Sequence, residues 1–211
     1  MYLSIMTRPD ITYAVSVLSQ HLEKPSTTHI EFARRVLRYL NGTKDLQLIL
    51  GGEKSISAYS DADWASQLHR HSISGFAPII GTGAISWSSK KQLIITLSST
   101  KSEYVALTQA LKDIIWIGKL FSEIGFISPT PFKFPNNLAC DNQGAITLSK
   151  DSTFHTRTKY IDVHFHFIRQ CVTMEHISLH YVPTGDMTAD IFTKSLPYHT
   201  FIRFRSSLGL V

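Results

Sequence analysis

Four acidic side chains stand where an α/β protein commonly presents its functional site. Asp61 and Asp141 each end a strand, in "YSDADW" and "NLACD". Glu103 lies in the first turn of a long helix, and Asp190 lies on the last helix, in "TADIFTK". Side chains at such positions point into the crevice beyond a sheet edge, and carboxylate oxygen is the hard ligand that divalent cations prefer. The spacing therefore predicts an acidic crevice built from four separate elements.

Each carboxylate also has a purely structural explanation. Glu103 could complete a capping box, Asp141 could cap the helix that follows it, and Asp190 could belong to a solvated face. Asp61 fits such an explanation least, because an acid within a strand has a poor strand propensity and no helix to cap. The residues alone leave open whether Asp61 or its neighbour Asp63 is the functional one.

The composition indicates one folded domain of ordinary size. The chain has 211 residues, 43% of them hydrophobic, which is enough for a real core. The net charge of +5 leans toward a polyanionic partner. Cys140 and Cys171 lie far apart, which argues against a disulfide framework and a zinc site. We expect an intracellular, soluble protein without a membrane partner, because we find no signal peptide and no apolar run of membrane-spanning length.

Two helices open the predicted fold. The first begins at Pro9, and the second begins with a capping box of Thr28 and Glu31 and ends at Gly42. The second helix is predicted to bury one apolar face, made of Ile30, Ala33, Val36, Leu37 and Leu40. Three arginines fall off this face and are either solvated or phosphate contacts: Arg34, Arg35 and Arg38.

The remaining pattern predicts a mixed sheet covered by helices. Three hairpin strands, "SISAYSD", "SGFAPIIG" and "AISWSS", follow the first helices, and Pro78 weakens the middle one. A long helix then opens with a capping box of Thr100 and Glu103 and stops at Gly125. The strand "NLACD", two helices, the strand "ISLHYV" and a final helix beginning near Asp186 complete the order, which is typical of an α/β fold.

Basic residues cluster in two places where a nucleic acid could bind. Arg157 and Lys159 lie in "HTRTK", and Arg169 lies one helix further on. Lys90 and Lys91 in "SSKKQ" either make similar phosphate contacts or form a solvated turn. The histidines do not predict a metal site: those in "HFH" lie two apart on a helix and so on different faces.

Seven motifs together resemble one known family. These are "YSDADWA", "SISG", "ISWSSKKQ", "SSTKSEY", "CDNQGAI", "FHTRTKYIDVHFHFIR" and "YVPTGDMTADIFTK". In this order they resemble the ribonuclease H domain of Ty1/copia-type retrotransposon polyproteins. The opening "TRPDITYAV" and "ARRVLRYLNGTKD" resemble the end of the reverse transcriptase that precedes that domain.

The resemblance implies a ribonuclease H-like fold. Its sheet is mixed and five-stranded, its first three strands are antiparallel, helices flank it, and a helical segment precedes it. The implied domains are a thumb- or connection-like segment at 1–50, a ribonuclease H-like domain at 51–195 and a helical tail at 196–211. The implied partners are an RNA–DNA hybrid and the upstream reverse transcriptase, in the cytoplasm, the nucleus or virus-like particles. No small-molecule cofactor is implied.

The activity implied by the resemblance is endonucleolytic hydrolysis of the RNA strand of RNA–DNA hybrids. The family's catalytic acids fall on Asp61, Glu103, Asp141 and Asp190. In a two-metal mechanism, two Mg²⁺ ions, with Mn²⁺ as an alternative, are held by such oxygen ligands. We expect Asp61 to bridge both ions, Glu103 and Asp141 to complete their shells and Asp190 to bind one ion more loosely. We identify no proton-shuttling residue from the sequence.

Two departures from the family pattern support a second hypothesis. Lys101 and Ser102 replace the acid that often precedes the catalytic glutamate, and Ser66 and Gln67 replace a common Gly-Asp. The alternative function is therefore a catalytically inactive, retrotransposon-derived protein that binds nucleic acid. The chain also lacks the "YxDD" motif of a polymerase, so we do not expect it to catalyse reverse transcription.

Overall fold

A computed structural model describes residues 1–52, 56–125, 137–150, 159–174 and 176–211. The α-helices are α1 (Tyr2–Met6), α2 (Thr12–Ser19), α3 (Thr27–Gly42), α4 (Ser99–Glu123), α5 (Gln143–Lys150), α6 (Lys159–Thr173) and α7 (Tyr198–Ser207). The strands are β1 (Ile56–Asp63), β2 (Ile73–Ile80), β3 (Gly83–Ala84), β4 (Ser88–Lys91), β5 (Asn137–Cys140) and β6 (Ser178–Tyr181). Short 3₁₀ helices span Pro9–Ile11, Leu68–Arg70, Thr184–Asp186 and Thr188–Phe192.

The sheet has the predicted mixed topology. Its strand order is β3-β2-β1-β5-β6, and β4 also pairs with β2. The pairings of β2 with β1, β3 and β4 are antiparallel, whereas β5 runs parallel to both β1 and β6. The predicted third strand is therefore one sheet position filled by two short pieces, β3 and β4. This arrangement confirms the predicted ribonuclease H-like fold class.

Pro78 lies inside β2 without disrupting the sheet. It pairs with Ala58 on β1, and its carbonyl oxygen accepts a hydrogen bond from the backbone N–H of Ile85 at 3.0 Å. Proline has no N–H to donate, and the N–H and C=O of one strand residue face the same neighbour. The missing donor thus faces the gap between β3 and β4, where it costs little.

Helices cover both faces of the sheet. On one face, α4, α5 and α6 bury a core that includes Tyr104, Leu107, Leu111, Leu138 and Ile168. On the other face, α7 and the 3₁₀ helix Thr188–Phe192 pack Phe192, Phe204 and Leu208 against Ala77 and Ile79. Neighbouring residues of β2 serve opposite cores, as the period of a strand requires.

The N-terminal helices differ from the sequence prediction. The capping box at the start of α3 is formed by Ser26 and His29, not by Thr28 and Glu31. The predicted buried face of α3 is also wrong: no residue of α3 is buried, and Ile30 is 45% exposed. The pattern is amphipathic, but within the described residues nothing covers its apolar side fully.

A buried polar network joins these helices to the rest of the chain. The Arg8 guanidinium donates to both carboxylate oxygens of Asp10, at 3.0 and 2.8 Å, and also to Thr43. Tyr39 donates to Asp10 at 2.6 Å and accepts from Arg205 of α7 at 3.3 Å. The network therefore ties α3 to the C-terminal helix.

The last residues of the chain pair with the segment before β1. The backbone N–H of Gln47 donates to the carbonyl of Val211 at 2.7 Å, and Ile49 donates to Gly209 at 2.8 Å. Cys140 and Cys171 are both free thiols, in agreement with the expected lack of a disulfide framework, and both are buried. In the part of the chain that the structure describes, no helix combines the length and the apolar character needed to cross a bilayer.

Candidate carboxylate site

The carboxylates of three separate elements meet at one edge of the sheet. Asp61 lies on β1, Asp141 directly follows β5, and Asp190 lies in the 3₁₀ helix Thr188–Phe192. One carboxylate oxygen from each lies within 4.8 Å of the others. Asp61 and Asp190 are buried, whereas Asp141 is half-buried. The parallel pairing of β1 with β5 explains the first contact, because the carboxyl ends of parallel strands share an edge.

Glu103 completes the acidic cluster from the helix side. It lies in the first turns of α4, its residue is only 4% exposed, and its carboxylate accepts a hydrogen bond from the backbone N–H of Ala62. Burial, followed by repulsion from Asp61 and Asp141, raises the pKa of Glu103 well above its ordinary value. Three of the four acids predicted from the sequence thus bring carboxylate oxygens within 4.8 Å of one another, and Glu103 lies near enough to Asp61 and Asp141 for their charges to raise its pKa.

The structure excludes the alternative structural roles. The N-cap of α4 is Ser98, whose hydroxyl accepts from the backbone N–H of Lys101 at 3.3 Å. The predicted capping box of Thr100 and Glu103 is therefore wrong, and Glu103 caps nothing. The helix after Asp141 is capped by Asn142, whose side-chain oxygen accepts from the backbone N–H of Ala145 at 2.9 Å.

The element that carries Asp190 also differs from the prediction. No α-helix begins near Asp186; two 3₁₀ helices, Thr184–Asp186 and Thr188–Phe192, precede α7. The second of these, Thr188–Phe192, packs on β1 and β2, and its residues Ala189, Ile191 and Phe192 are all buried. Asp190 is therefore held by a buried segment and does not lie on a solvated face.

Two residues that the sequence reasoning missed hold the cluster in place. Thr193 donates a hydrogen bond to Asp61 Oδ2, and Thr184 donates to Asp141 Oδ2 at 2.7 Å. Both hydroxyls come from the segment that carries Asp190. These two hydrogen bonds fix the carboxylates of Asp61 and Asp141 relative to the segment that carries Asp190.

Lys194 places a cation among the acids. Its Nζ lies 3.0 Å from Asp190 Oδ1 and 3.9 Å from Asp61 Oδ2. Burial would lower the pKa of Lys194, but the attraction of Asp61 and Asp190 raises it. The signal in the sequence was the lysine four residues after Asp190, the spacing at which helical side chains pair.

Burial dominates the ionisation of the two buried aspartates. It raises the pKa of Asp61 against the opposing effects of Lys194 and Thr193. It also raises the pKa of Asp190 to about 7, together with the charge of Asp61 and against that of Lys194. In the absence of a bound cation, the cluster therefore disfavours full ionisation near neutral pH.

The predicted nucleic-acid contacts lie at different kinds of position. Lys90 is exposed and Lys91 is half-buried, both on β4. Arg169 is partly buried on α6, and its Nε donates to the carbonyl of Leu148 at 3.4 Å. Arg157 and the side chain of Lys159 lie outside the described residues.

Comparison with curated proteins gives extensive matches. The chain is 39% identical to the Pol polyprotein of transposon TNT 1-94 from Nicotiana tabacum, over 100% of this chain and 16% of that protein. It is 39% identical to the Pol polyprotein of transposon RE2 from Arabidopsis thaliana, over 97% of this chain and 14% of that protein. The chain is homologous to Pol polyproteins of copia-type transposons. The matched region, which is nearly the whole of this chain, spans about one-sixth of the length of these Pol relatives.

A further curated protein matches part of the chain, and two solved structures resemble it distantly. Secreted RxLR effector protein 161 from Plasmopara viticola is 44% identical over 56% of this chain and 84% of that protein. LC11-RNase H1, isolated from compost, has a TM-score of 0.48 at 17% identity, covering 66% of this chain and 93% of its own. The RNase H domain of rv2228c from Mycobacterium tuberculosis has a TM-score of 0.49 at 11% identity, covering 74% and 99%. No protein-family profile matches the chain.

Proposed function

We propose that this chain is the ribonuclease H part of a retrotransposon Pol polyprotein. It would hydrolyse the RNA strand of RNA–DNA hybrids with the help of divalent metal ions. The observation that carries the proposal is the convergence of Asp61, Asp141 and Asp190 on one sheet edge, with the buried Glu103 close enough to be influenced by the charges of Asp61 and Asp141. Homology to Pol polyproteins of copia-type transposons supports the biological setting.

The residues present fit a divalent cation. Three carboxylate oxygens lie within 4.8 Å of one another, and all are hard ligands. Glu103 Oε2 is buried without a hydrogen-bond partner among the described residues, which leaves it free to bind a cation. Burial and neighbouring negative charge raise the pKa values of Glu103 and Asp190, so added positive charge would favour their ionised forms.

In the proposed mechanism the protein supplies a fixed and largely dry ligand set. Asp61, Glu103, Asp141 and Asp190 would hold divalent ions, and the chemistry such ions would supply is activation of a water molecule and stabilisation of the departing 3′ oxygen. Thr193 holds the orientation of Asp61, and the backbone N–H of Ala62 holds that of Glu103.

Contacts to the hybrid come from basic side chains in this proposal. Lys90 is exposed on β4 and suits the phosphate backbone, and Lys91 lies beside it. Arg157, Lys159 and Arg169 stay predicted phosphate contacts. Such contacts carry no sequence information, so we expect the shape of the hybrid to determine selectivity.

One observation favours the second candidate, an inactive protein that binds nucleic acid. Lys194 neutralises part of the cluster through its 3.0 Å contact with Asp190. A cation supplied by the chain itself allows the fold to keep its acids without a metal. Activity therefore separates the two candidates more sharply than stability does.

The test is cleavage of a labelled RNA–DNA hybrid by the purified chain at low salt, with Mg²⁺, Mn²⁺ or EDTA. Asp61→Asn removes a proposed ligand, and Asp186→Asn is the control, because Asp186 is an aspartate whose side chain is 66% exposed and which lies outside the cluster of Asp61, Asp141 and Asp190. Single-stranded RNA and double-stranded DNA are the substrate controls.

Metal-dependent cutting of the hybrid that is lost in Asp61→Asn and kept in Asp186→Asn would support the nuclease. A folded chain that binds the hybrid but leaves it intact with both metals would instead support the inactive binding protein.

A further inference from the structure

The N-terminal helix α2 lies beside the element that carries Asp190. It contacts both β4 and the 3₁₀ helix Thr188–Phe192. The Ser16 hydroxyl holds α2 on the sheet, because it donates a hydrogen bond to the backbone carbonyl of Ser89 on β4 at 2.9 Å. Helix α2 belongs to the segment 1–50, which the family resemblance separates from the ribonuclease H-like domain. In the structure it packs against the sheet of that domain.

The register of the sheet places the contact of Ser16 in line with Asp61. Ser89 pairs with Gly75 across β4 and β2, and Gly75 pairs with Asp61 across β2 and β1. Neighbouring strands lie about 4.8 Å apart, so Ser89 lies about 10 Å from Asp61. Helix α2 therefore meets the sheet at the level of the carboxylate cluster.

Tyr13 extends this contact toward the cluster. It lies three residues before Ser16, and helical side chains at that spacing share a face. Tyr13 is half-buried, and its hydroxyl lies near Asp63 at the end of β1 and near Ser195. Burial, followed by the charge of Asp63, raises the pKa of Tyr13, whereas the hydrogen bond that Ser195 donates to it has the opposite effect. Tyr13 thus links α2 to a residue beyond the 3₁₀ helix Thr188–Phe192.

The residues just before Ser195 hold the buried acids. Thr193 donates a hydrogen bond to Asp61, and Lys194 Nζ lies 3.0 Å from Asp190 Oδ1. Ser195 directly follows them and lies in the short connection between the 3₁₀ helix and α7, outside regular secondary structure. A side-chain contact at Ser195 can therefore determine where this connection lies, and with it the two residues that contact the acids.

We propose that Tyr13 is a positioning residue for the carboxylate cluster. Its hydroxyl holds Ser195 in place, and thereby holds Thr193 and Lys194 against the acids. This inference rests on the proposed function, because the cluster that Tyr13 positions is the proposed metal site. In this role Tyr13 acts through its neighbours and touches neither the metal ions nor the hybrid. The N-terminal helices would then be part of the working nuclease.

The test measures Mg²⁺ binding separately from cleavage, in the full chain. Isothermal titration calorimetry gives the Mg²⁺ affinity, thermal unfolding in EDTA gives the stability, and hybrid cleavage gives KM and kcat. Tyr13→Phe removes only the hydroxyl. Tyr2→Phe is the matched control, since Tyr2 is 75% exposed in the same N-terminal segment. Ser195→Ala, alone and together with Tyr13→Phe, removes the other side of the hydrogen bond.

We expect Tyr13→Phe to bind Mg²⁺ about tenfold more weakly, as for lost outer support of metal ligands. Its kcat should fall by a similar factor with KM nearly unchanged, because Tyr13 does not contact the hybrid. Ser195→Ala should have the same effect, and the double variant should be no worse than either single variant, since all three lack one shared hydrogen bond. Tyr2→Phe should behave as the original chain.

Equal Mg²⁺ affinity and kcat in Tyr13→Phe and Tyr2→Phe would overturn the positioning role, even if cleavage is normal and the proposed function stands. A loss of stability in EDTA with unchanged Mg²⁺ affinity would also overturn it, because it would show a structural role alone. Additive losses in the double variant would refute the route through Ser195. If Tyr13→Phe weakens Mg²⁺ binding in a chain that never cuts the hybrid, the positioning role stands and the nuclease is refuted.

Discussion

Replacing Gly75 by alanine should damage the carboxylate cluster without touching any of its acids. Gly75 pairs with Asp61 across β1 and β2. A Cβ at position 75 would lie 2.7 Å from Phe192 Cβ, 2.7 Å from Thr193 Cγ2 and 3.0 Å from the carbonyl oxygen of Ala189. The absence of a side chain at Gly75 is therefore what lets the segment carrying Asp190 approach β2.

The size of the effect follows from these distances. Carbon atoms in contact prefer separations of about 3.5 Å or more, so the segment must retreat by about 0.8 Å. Forcing an extra methyl group into such packing costs about 1–3 kcal/mol of unfolding free energy. The same retreat moves Thr193 away from Asp61. A displacement of about 1 Å in a catalytic constellation can cost about 100-fold in rate.

The assay compares Gly75→Ala with Gly185→Ala, whose added Cβ would meet nothing within 4 Å. Thermal unfolding without metal, the rise in Tm on adding Mg²⁺, and the rate of hybrid cleavage are measured for both. We expect Gly75→Ala to lose stability, most of the Mg²⁺ response and about 100-fold in rate. If Gly75→Ala matches Gly185→Ala in all three, close packing at Gly75 does not position the cluster.

Three further outcomes follow from the buried charges. Without metal, the contribution of Asp190 to the free energy of unfolding should fall by about 4 kcal/mol as the pH rises from about 4 to 7. The reason is that the folded state raises the pKa of Asp190 to about 7 and so holds a proton that the unfolded chain releases; Asp190→Asn should flatten this slope in thermal unfolding. Arg8→Met should cost about 3–5 kcal/mol in urea denaturation, because Asp10, whose side chain has 0% exposure, loses its cation; an unchanged midpoint would contradict this. Lys194→Met should lower Tm without metal and enlarge the rise on adding Mg²⁺, and an unaltered rise would show that Lys194 does not offset the cluster.

The sequence allowed the acids to be predicted because their positions depend on strong local patterns. Asp61 lies near the carboxyl end of β1, two residues before the strand ends at Asp63, and Asp141 directly follows β5. Both strands are identifiable from their apolar runs, and the parallel pairing of β1 with β5 brings these two positions together. Glu103 lies at the start of the most periodic helix of the chain. These are features that short stretches of sequence specify.

The remaining features depend on contacts between distant parts of the chain. The choice of Ser98 over Thr100 as the N-cap depends on where β4 ends and how the loop between β4 and α4 is anchored through Gln92. The position of Asp190 depends on the packing of the 3₁₀ helix Thr188–Phe192 against β2. The spacing of apolar residues in the sequence does not predict this packing. The apolar face of α3 was visible, but the pattern does not tell what, if anything, covers it.

The hydrogen bond from Thr193 to Asp61 joins residues 132 positions apart, and this separation has a consequence for the order of folding. Closing so long a loop costs conformational entropy before the contact forms. We therefore expect the hairpins and α4 to form first, and the segment with Asp190 to dock last. A ribosome releases that segment near the end of synthesis of this region. The growing chain would thus carry a nearly complete sheet while its acidic centre is still unfinished.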